Sequence, residues 1–352
     1  MKFDFAIGNP PYQETQEGTS DNPIYNCFMD AAYGIAEKVE LITPARFLFN
    51  AGKTPKAWNE KMLEDEHLKV FFYEQDSSKV FSNTDIKGGV AVTYRDESKI
   101  YGAIDTFTQY PVLNNILAKV RAKMGASISE VVYSPESYKF TNLVYEEHPE
   151  ILKKTLNVKG REVPLISKGH EKDLTSNIFD KLSQIVFFSD IPSDGQEYIQ
   201  ISGRMGNTRV NMWILKKYIA EHENLYAYKL FFPKSNGSGK FGEPLSSAII
   251  GAPKVGHTQT FISMGKFQTE YEVVSLNKYL CGKFARAMLG VLKVTQDNKK
   301  MVWRYVPLQD FTEQSDIDWS VSIANIDKQL YKKYGLSDEE MSFIEKNVKE
   351  ME

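Results

Sequence analysis

The chain is predicted to open as an α/β domain, continue as a mixed α+β region and end in helices. Three observations carry this reading. Over the first hundred residues, short apolar runs alternate with segments of helical period. From Asp105 to about Asp310 the texture changes to short strands, aromatic residues and loops bearing Lys and Arg. Near the end, Ser337 and Glu340, three residues apart, form a capping box that opens a last helix. The expected domains are therefore 1–104, 105–310 and 311–352.

Phe3–Ile7 is an apolar run of the kind that forms a buried strand, and Gly8 ends it. Pro10 and Pro11 then forbid both a continuing strand and a helix start. The backbone beyond the strand is therefore a stiff, extended loop. It carries the carboxamide of Asn9, the ring of Tyr12 and a Pro10 carbonyl that no ladder claims. Two such acceptors suit an exocyclic amino group, and a ring beside them can stack on a base.

Thr15–Asn22 is polar and turn-rich. Asn22 is expected as an N-cap with Pro23 in the first helical position. Ile24, Phe28, Ala31, Ala32 and Ile35 then recur at helical spacing as one buried stripe. Val39–Thr43 reads as the next strand, ending at Pro44, and Thr54-Pro55 opens a helix to about Glu66. Leu68–Tyr73 and Gly88–Tyr94 read as strands, connected through Val80-Phe81 and a turn at Ser82-Asn83. In α/β sheets functional loops lie at strand carboxyl ends. Asn9 lies at one.

Farther on, Tyr198–Gly203, Tyr228–Phe232 and Phe261–Gly265 read as strands. Arg204 and Arg209 come after the first on a glycine-containing turn, and Pro233–Lys240 comes after the second as a basic loop. Ser275–Leu292 reads as one helix with Leu276, Tyr279, Leu280, Phe284, Met288 and Leu292 inward. Met341, Phe343, Ile344 and Val348 mark the buried side of the last helix.

Apolar content of 42% and charged content of 25% are ordinary globular values. No apolar run approaches the ~18 residues of a membrane span, and the N-terminus has no signal-peptide pattern. The two cysteines, Cys27 and Cys281, are far apart and lack a ligand cluster, so reduced thiols, no metal and a cytoplasmic location are expected. Charge is unevenly spread. Residues 1–100 hold 11 Lys and Arg against 16 Asp and Glu, residues 101–310 hold 27 against 20, and residues 311–352 hold 5 against 10. A polyanion would be gripped by the middle block.

The stretch Asn9-Pro10-Pro11-Tyr12, preceded by Phe3-Asp4-Phe5-Ala6-Ile7-Gly8, resembles the Asn-Pro-Pro-Tyr motif of DNA adenine-N6 methyltransferases of type II restriction–modification systems. Leu41–Leu48 looks like that family's next strand and loop, and Val80-Phe81 through Val90-Ala91-Val92 like its closing hairpin. The resemblance implies a partial Rossmann-like class I methyltransferase sheet over residues 1–104. It also implies S-adenosyl-L-methionine as methyl donor, touched by Asn9, and double-stranded DNA as substrate. Asn9 and the Pro10 carbonyl would then hold adenine N6, Pro11 would fix the loop, and Tyr12 would stack on the extruded base. More loosely, the middle region resembles the target-recognition domain of such enzymes, with Arg204, Arg209, Lys234, Asn236, Lys240 and Lys254 as candidate DNA contacts. A single Lys or Arg is more often a solvated charge; the cluster carries that expectation.

One departure from the family pattern stands out. The half of the domain that carries the glycine-rich cofactor turn is expected before Asn9, and Met1 precedes it by only eight residues. Gly237-Ser238-Gly239-Lys240-Phe241-Gly242 fits G-x-G-x-x-G, but Pro244 and the extended Ala248-Ile249-Ile250 come after it in place of a helix. A Phe3–Ile7 strand without neighbours would leave an unpaired edge and uncovered apolar side chains. Either a separate polypeptide supplies the cofactor half, or later parts of the chain cover the edge. Rival classes are a DNA-recognition module without catalysis, and a nuclease using Asp85 with Glu97-Ser98-Lys99 around magnesium. An RNA or protein amine is a further substrate class for such a loop.

Overall fold

The computed structural model describes residues 2–14, 22–82, 84, 86, 88–158 and 161–351. They fall into two compact units, Met1–Asn115 and Ile116–Glu352. The first is a mixed α/β layer pair. Its strands β1 (Phe3–Gly8), β2 (Ala36–Pro44), β3 (Leu68–Glu74) and β4 (Val90–Asp96) pair in the order β1-β2-β4-β3. β1 runs parallel to β2, and β4 runs antiparallel to both β2 and β3. A parallel neighbour needs a crossover, and helix α1 (Tyr25–Ile35) supplies it. Helix α2 (Lys56–Glu64) connects β2 to β3.

Register separates the two faces of this sheet. Val39, Leu41, Leu68 and Ala91 are buried on one face against Tyr25 and Met29 of α1 and Trp58, Met62 and Leu63 of α2. Tyr25 and Phe47 meet the Trp58 ring edge-on at 6.1 and 5.4 Å, contacts worth about 0.5–1.5 kcal/mol each beyond the area they bury. On the opposite face Phe5 pairs with Lys38, Ile7 with Glu40, and Ile42 with Val92 and through it Phe72. That face is open. Phe3, Phe5 and Ile7 are 68%, 51% and 74% exposed, and no described residue pairs with the outer edge of β1. The apolar run was expected to be a buried strand; among the described residues its apolar side chains are exposed and no later part of the chain pairs with its outer edge.

Three expectations need correction. Asn22-Pro23 pairs with Gln13-Glu14 as a short antiparallel ladder, so the helix begins later, with Ile24 at its N-cap. The buried side of α1 is Tyr25 and Met29, while Phe28 and Ile35 are exposed. Val80-Phe81 is not strand: it comes after the turn Ser77–Lys79, and the antiparallel pair is β3 with β4.

Among the described residues the second unit contains a two-stranded ladder of Thr155–Val158 with Arg161–Pro164 and two larger sheets. One has strands β6 (Tyr198–Met205), β7 (Thr208–Leu215) and β10 (Val255–His257) in the order β7-β6-β10. The other has β5 (Val132–Tyr133), β8 (Tyr228–Pro233), β9 (Ile249–Gly251) and β11 (Phe261–Phe267) in the order β9-β8-β11-β5. Arg204 and Arg209 thus lie on paired strands, facing each other across the hairpin, and not on its turn.

The expected single helix over Ser275–Leu292 is two, α3 (Glu270–Cys281) and α4 (Lys283–Leu289), parted at Gly282. A Thr269–Glu272 capping box starts α3. The Asp327 carboxylate accepts the Lys283 and Phe284 N–H groups at 2.8 and 3.0 Å, satisfying the first donors of α4. Asp327 sits on α5 (Ile323–Tyr334), which precedes α6 (Asp338–Asn347) with its Ser337–Glu340 capping box. The tail 311–352 therefore belongs to the second unit, where the Phe311 and Trp319 rings pack on Tyr279.

Candidate active site

β1 ends its pairing at Gly8, opposite Leu41. Beyond it Asn9 is exposed, and its carboxamide engages no described residue. Neither does the carbonyl of Pro10, because the prolines have carried the backbone out of the ladder. The loop is pinned one step later, where the Ile24 N–H donates to the Tyr12 carbonyl at 3.1 Å. Tyr12 is half-buried against the α1–sheet core. Its hydroxyl is enclosed without a partner, and burial pushes the phenol up to about 12. The ring is therefore neutral and fixed.

Asn9, Pro10, Pro11 and Tyr12 all line one cleft of about 680 Å³ in the first unit, together with Tyr25 and Phe81. That volume is within the range of about 300–1,000 Å³ typical of small-molecule sites. Pro44 and Arg46, at and just beyond the end of the parallel neighbour β2, line it too. Two parallel strands thus deliver their carboxyl ends to one cavity, as open α/β sheets do. Its chemistry is two free oxygen acceptors side by side with aromatic rings, suited to a flat group bearing an amine. The sequence pattern put Phe81 in a turn region, the resemblance put it in a closing hairpin, and neither singled it out for the site. The turn at Ser77, held by Thr84 and the Ile86 N–H, is a tertiary feature that brings Phe81 round.

The basic candidates lie in the second unit. Arg204 and Arg209 are exposed; the Arg204 Nε donates to Ser176 O at 3.4 Å, and Arg209 reaches Ser247 O at 3.1 Å while covering the Phe261 ring. Lys234 is exposed on a second cleft of about 380 Å³ that also holds Lys299 and Lys300. Lys240 is exposed as well. Lys254 is paired with Glu197 at 2.8 Å. Asn236 does not present itself to a ligand: it is buried, accepts from Asn298 Nδ2 at 2.9 Å and donates to the Pro244 carbonyl, bracing its loop.

The glycine loop is likewise spoken for. The Ser238 and Gly239 N–H groups both donate at 2.8 Å to the Glu243 carboxylate, which Lys293 faces at 3.6 Å. An anion cradle filled by the chain's own carboxylate is not a cofactor turn. S-adenosylmethionine carries a ribose diol and an ammonium that call for acidic partners. The described residues lining the 680 Å³ cleft include no carboxylate, so they do not fit the whole cofactor. Asp85 of the nuclease reading lies outside the described residues. Glu97 pairs with Lys2 at 2.6 Å, and Lys99 lies 3.9 Å from Asp96. Among the described residues no helix is long and apolar enough to cross a membrane.

Comparison with known proteins locates a likeness in this same segment. Residues 1–81 match the model of the Eco57I restriction-modification methylase family. An uncharacterized adenine-specific methylase of Mycoplasma pneumoniae is 32% identical over 95 residues, 26% of this chain and 22% of that protein. The matched region thus spans about a fifth of that curated relative's length. Among solved structures, the type IIG restriction endonuclease BpuSI aligns with 94% of this chain and 48% of its own, at TM-score 0.31 and 10% identity. The type IIL restriction-modification enzyme MmeI aligns with 97% and 56%, at TM-score 0.31 and 11% identity. Likeness at that level does not establish a common fold. The first 81 residues carry the sequence pattern of a restriction-modification methylase.

Proposed function

We propose that the chain is the amine-holding component of a DNA adenine-N6 methyltransferase. The observation that carries this reading is the Asn9–Tyr12 loop, whose free acceptors open on a ring-lined cleft roomy enough for a base. The amino group of adenine is unreachable inside a duplex, so the base must leave the stack. In the cleft, the Asn9 Oδ1 and the Pro10 carbonyl accept its two hydrogens. That pulls the nitrogen toward tetrahedral geometry and aims its lone pair away from the loop. Tyr12 stacks on one face of the ring system, and Phe81, another ring lining the cleft, is proposed to cover the other. This is catalysis by positioning.

S-adenosylmethionine is the methyl donor of this reading, and the described residues of the cleft are not assigned to hold it. The order and directions of β1–β4 suit one half of a Rossmann-like sheet, whose remaining strands would continue beyond β1. A separate polypeptide is proposed to bring them, laying a strand on the free edge of β1 and apolar side chains on Phe3, Phe5 and Ile7. Arg204, Arg209, Lys234 and Lys240 are proposed to grip DNA phosphates in the second unit.

The test needs no knowledge of the partner. The chromosomal copy is replaced by the Asn9→Ala allele and genomic N6-methyladenine is mapped base by base. Loss of methylation at one recognition sequence, by about 100-fold or more, with the other methylated sequences intact, is expected. Unchanged methylation would overturn the reading and leave DNA recognition without catalysis.

A further inference from the structure

The second unit's own cleft, of about 380 Å³, has a lining that is short of partners in two opposite senses. Lys234 and Lys300 line it, both exposed and, among the described residues, without a counter-charge. Glu136 lines it too, exposed, and its carboxylate is equally unpaired. The other charged pair is consumed: Lys299 faces Asp297 at 3.6 Å, and Ser235 Oγ donates to the same carboxylate at 3.3 Å. A site for phosphate alone would gain nothing from a free carboxylate among its ammoniums, because like charges repel.

Both kinds of group stand on fixed backbone. Asn298 ties the segments of Lys234 and Lys299-Lys300 into one wall. Its N–H donates to the Lys234 carbonyl at 2.8 Å, and its Nδ2 donates to Pro233 O at 2.8 Å and to Asn236 Oδ1 at 2.9 Å. With both amide hydrogens spent, the Asn298 Oδ1 can only accept, and it is enclosed with no partner. An oxygen so placed marks a polar set that lacks a donor. Glu136 is carried on the turn of residues 134–137, where Ser137 N–H and Oγ donate to the Ser134 carbonyl at 3.2 and 2.7 Å. Before the turn β5 pairs with β11, and after it the buried Tyr138 hydroxyl donates to Asn224 Oδ1 at 2.5 Å. Little ordering of this backbone is left to be done on binding.

We propose that this cleft reads a cytosine of the DNA target, Glu136 accepting from the N4 amino group in the major groove while Lys234 and Lys300 hold neighbouring phosphates. The inference rests on the reading that the second unit grips DNA. A duplex supplies both things the lining lacks, phosphate oxygens for the ammoniums and amino hydrogens for the acceptor. Adenine also offers an amino group in that groove, but its N7 acceptor lies beside it and repels a carboxylate. Cytosine presents N4 as a donor with no acceptor next to it. The lysines thus give affinity without sequence, and Glu136 gives sequence.

The experiment selects bound duplexes from a randomised pool with the purified full chain, and reads the enriched sequence. Wild type is expected to favour cytosine at one position by about 10-fold over the other bases. Glu136→Ala should flatten that position and leave the others within about twofold, as separate base pairs contribute nearly additively. Glu136→Gln adds a donor, so it should admit guanine or thymine at the same position. Lys234→Gln and Lys300→Gln should keep the enriched sequence and weaken binding to every duplex. Each should also lower the slope of log K against log salt by about 1, which a lysine that merely braced the fold would not do. The same enriched sequence from wild type and Glu136→Ala overturns the proposal and spares the DNA grip of the second unit. So does binding without any enriched sequence, or a uniform loss of affinity in Glu136→Ala. An unchanged salt slope in both lysine variants overturns the phosphate contacts. No binding to any duplex overturns the proposal together with the DNA grip, and leaves the Asn9 reading to its own test by methylation.

Discussion

At the level of single residues, polar groups in this protein divide into those kept free and those consumed. Asn9 and the Pro10 carbonyl are free. In the second unit a buried chain is consumed completely. His257 Nδ1–H donates to Thr258 O at 2.9 Å, its Nε2 accepts from Ser263 Oγ at 3.1 Å, and Asn224 Nδ2 donates to that same oxygen at 3.1 Å. A histidine beside a serine hydroxyl could pass for a nucleophile pair, but both residues are fully buried, so the chain braces the core. Burial pulls the His257 imidazole down to about 3, whereas an unfolded histidine titrates near 6.5. The unfolded chain therefore takes the proton first. Stability is full above about pH 6.5 and is lost as pH falls toward 3, by up to about 1.4 kcal/mol per pH unit. Urea midpoints of wild type and His257→Gln between pH 7 and 4 test this. The wild-type curve should fall more steeply, and parallel curves would refute the assignment. The motif residues Asn9–Tyr12 were legible in the sequence because prolines fix a backbone without tertiary help. Phe81 and the burial of Asn236 were not, since both depend on loops closed by distant partners.

Among elements, the strands were read well and the helix limits less well, for a physical reason. The β1–β4 runs announce themselves by local composition. A helix's end can be decided elsewhere, and α3–α4 shows how. Apolar spacing continues across Gly282, so the sequence reads one helix. The break is made by Asp327, over forty residues later, whose carboxylate takes the N–H groups of Lys283 and Phe284. Gly282 has an ordinary φ of −64°, so its missing side chain is a matter of space. A Cβ there would stand 2.7 Å from Asp327 Oδ1. Gly282→Ala should therefore push the carboxylate off its donors and cost about 1–3 kcal/mol, the range for buried polar groups left unsatisfied. Chemical denaturation would measure it, and combination with Asp327→Ala should give much less than the sum of the single losses. Additive losses would mean that the glycine serves some other contact. The side of α1 that is buried was misread in the same way: Phe28 and Ile35 have the right period, but the position of the sheet selects Tyr25 and Met29.

In the whole molecule, the cleft proposed to hold the amine lies in a unit whose sheet is finished on one face and open on the other. Open apolar faces and unpaired strand edges invite association, and β1 combines both features next to the loop that carries Asn9. If that edge receives the polypeptide that holds the methyl donor, docking and chemistry are coupled through one strand. The partner strand then brings its own carboxyl end beside that of β1. Phe5 separates the two roles, because it is exposed on β1 yet four residues from Asn9, with the Lys38 ammonium 5.4 Å from its ring. Phe5→Glu places a carboxylate opposite Lys38, so the isolated chain should keep its stability within about 0.5 kcal/mol, as exposed positions generally do. Adenosine binding should be unchanged, and light scattering should show less self-association. Burying that carboxylate and the Lys38 ammonium at the docked edge would cost several kcal/mol of desolvation, so the same allele in the chromosome should lose methylation as fully as Asn9→Ala. Retained methylation with Phe5→Glu, beside its loss with Asn9→Ala, would show that the β1 edge is not where the methyl donor's polypeptide joins.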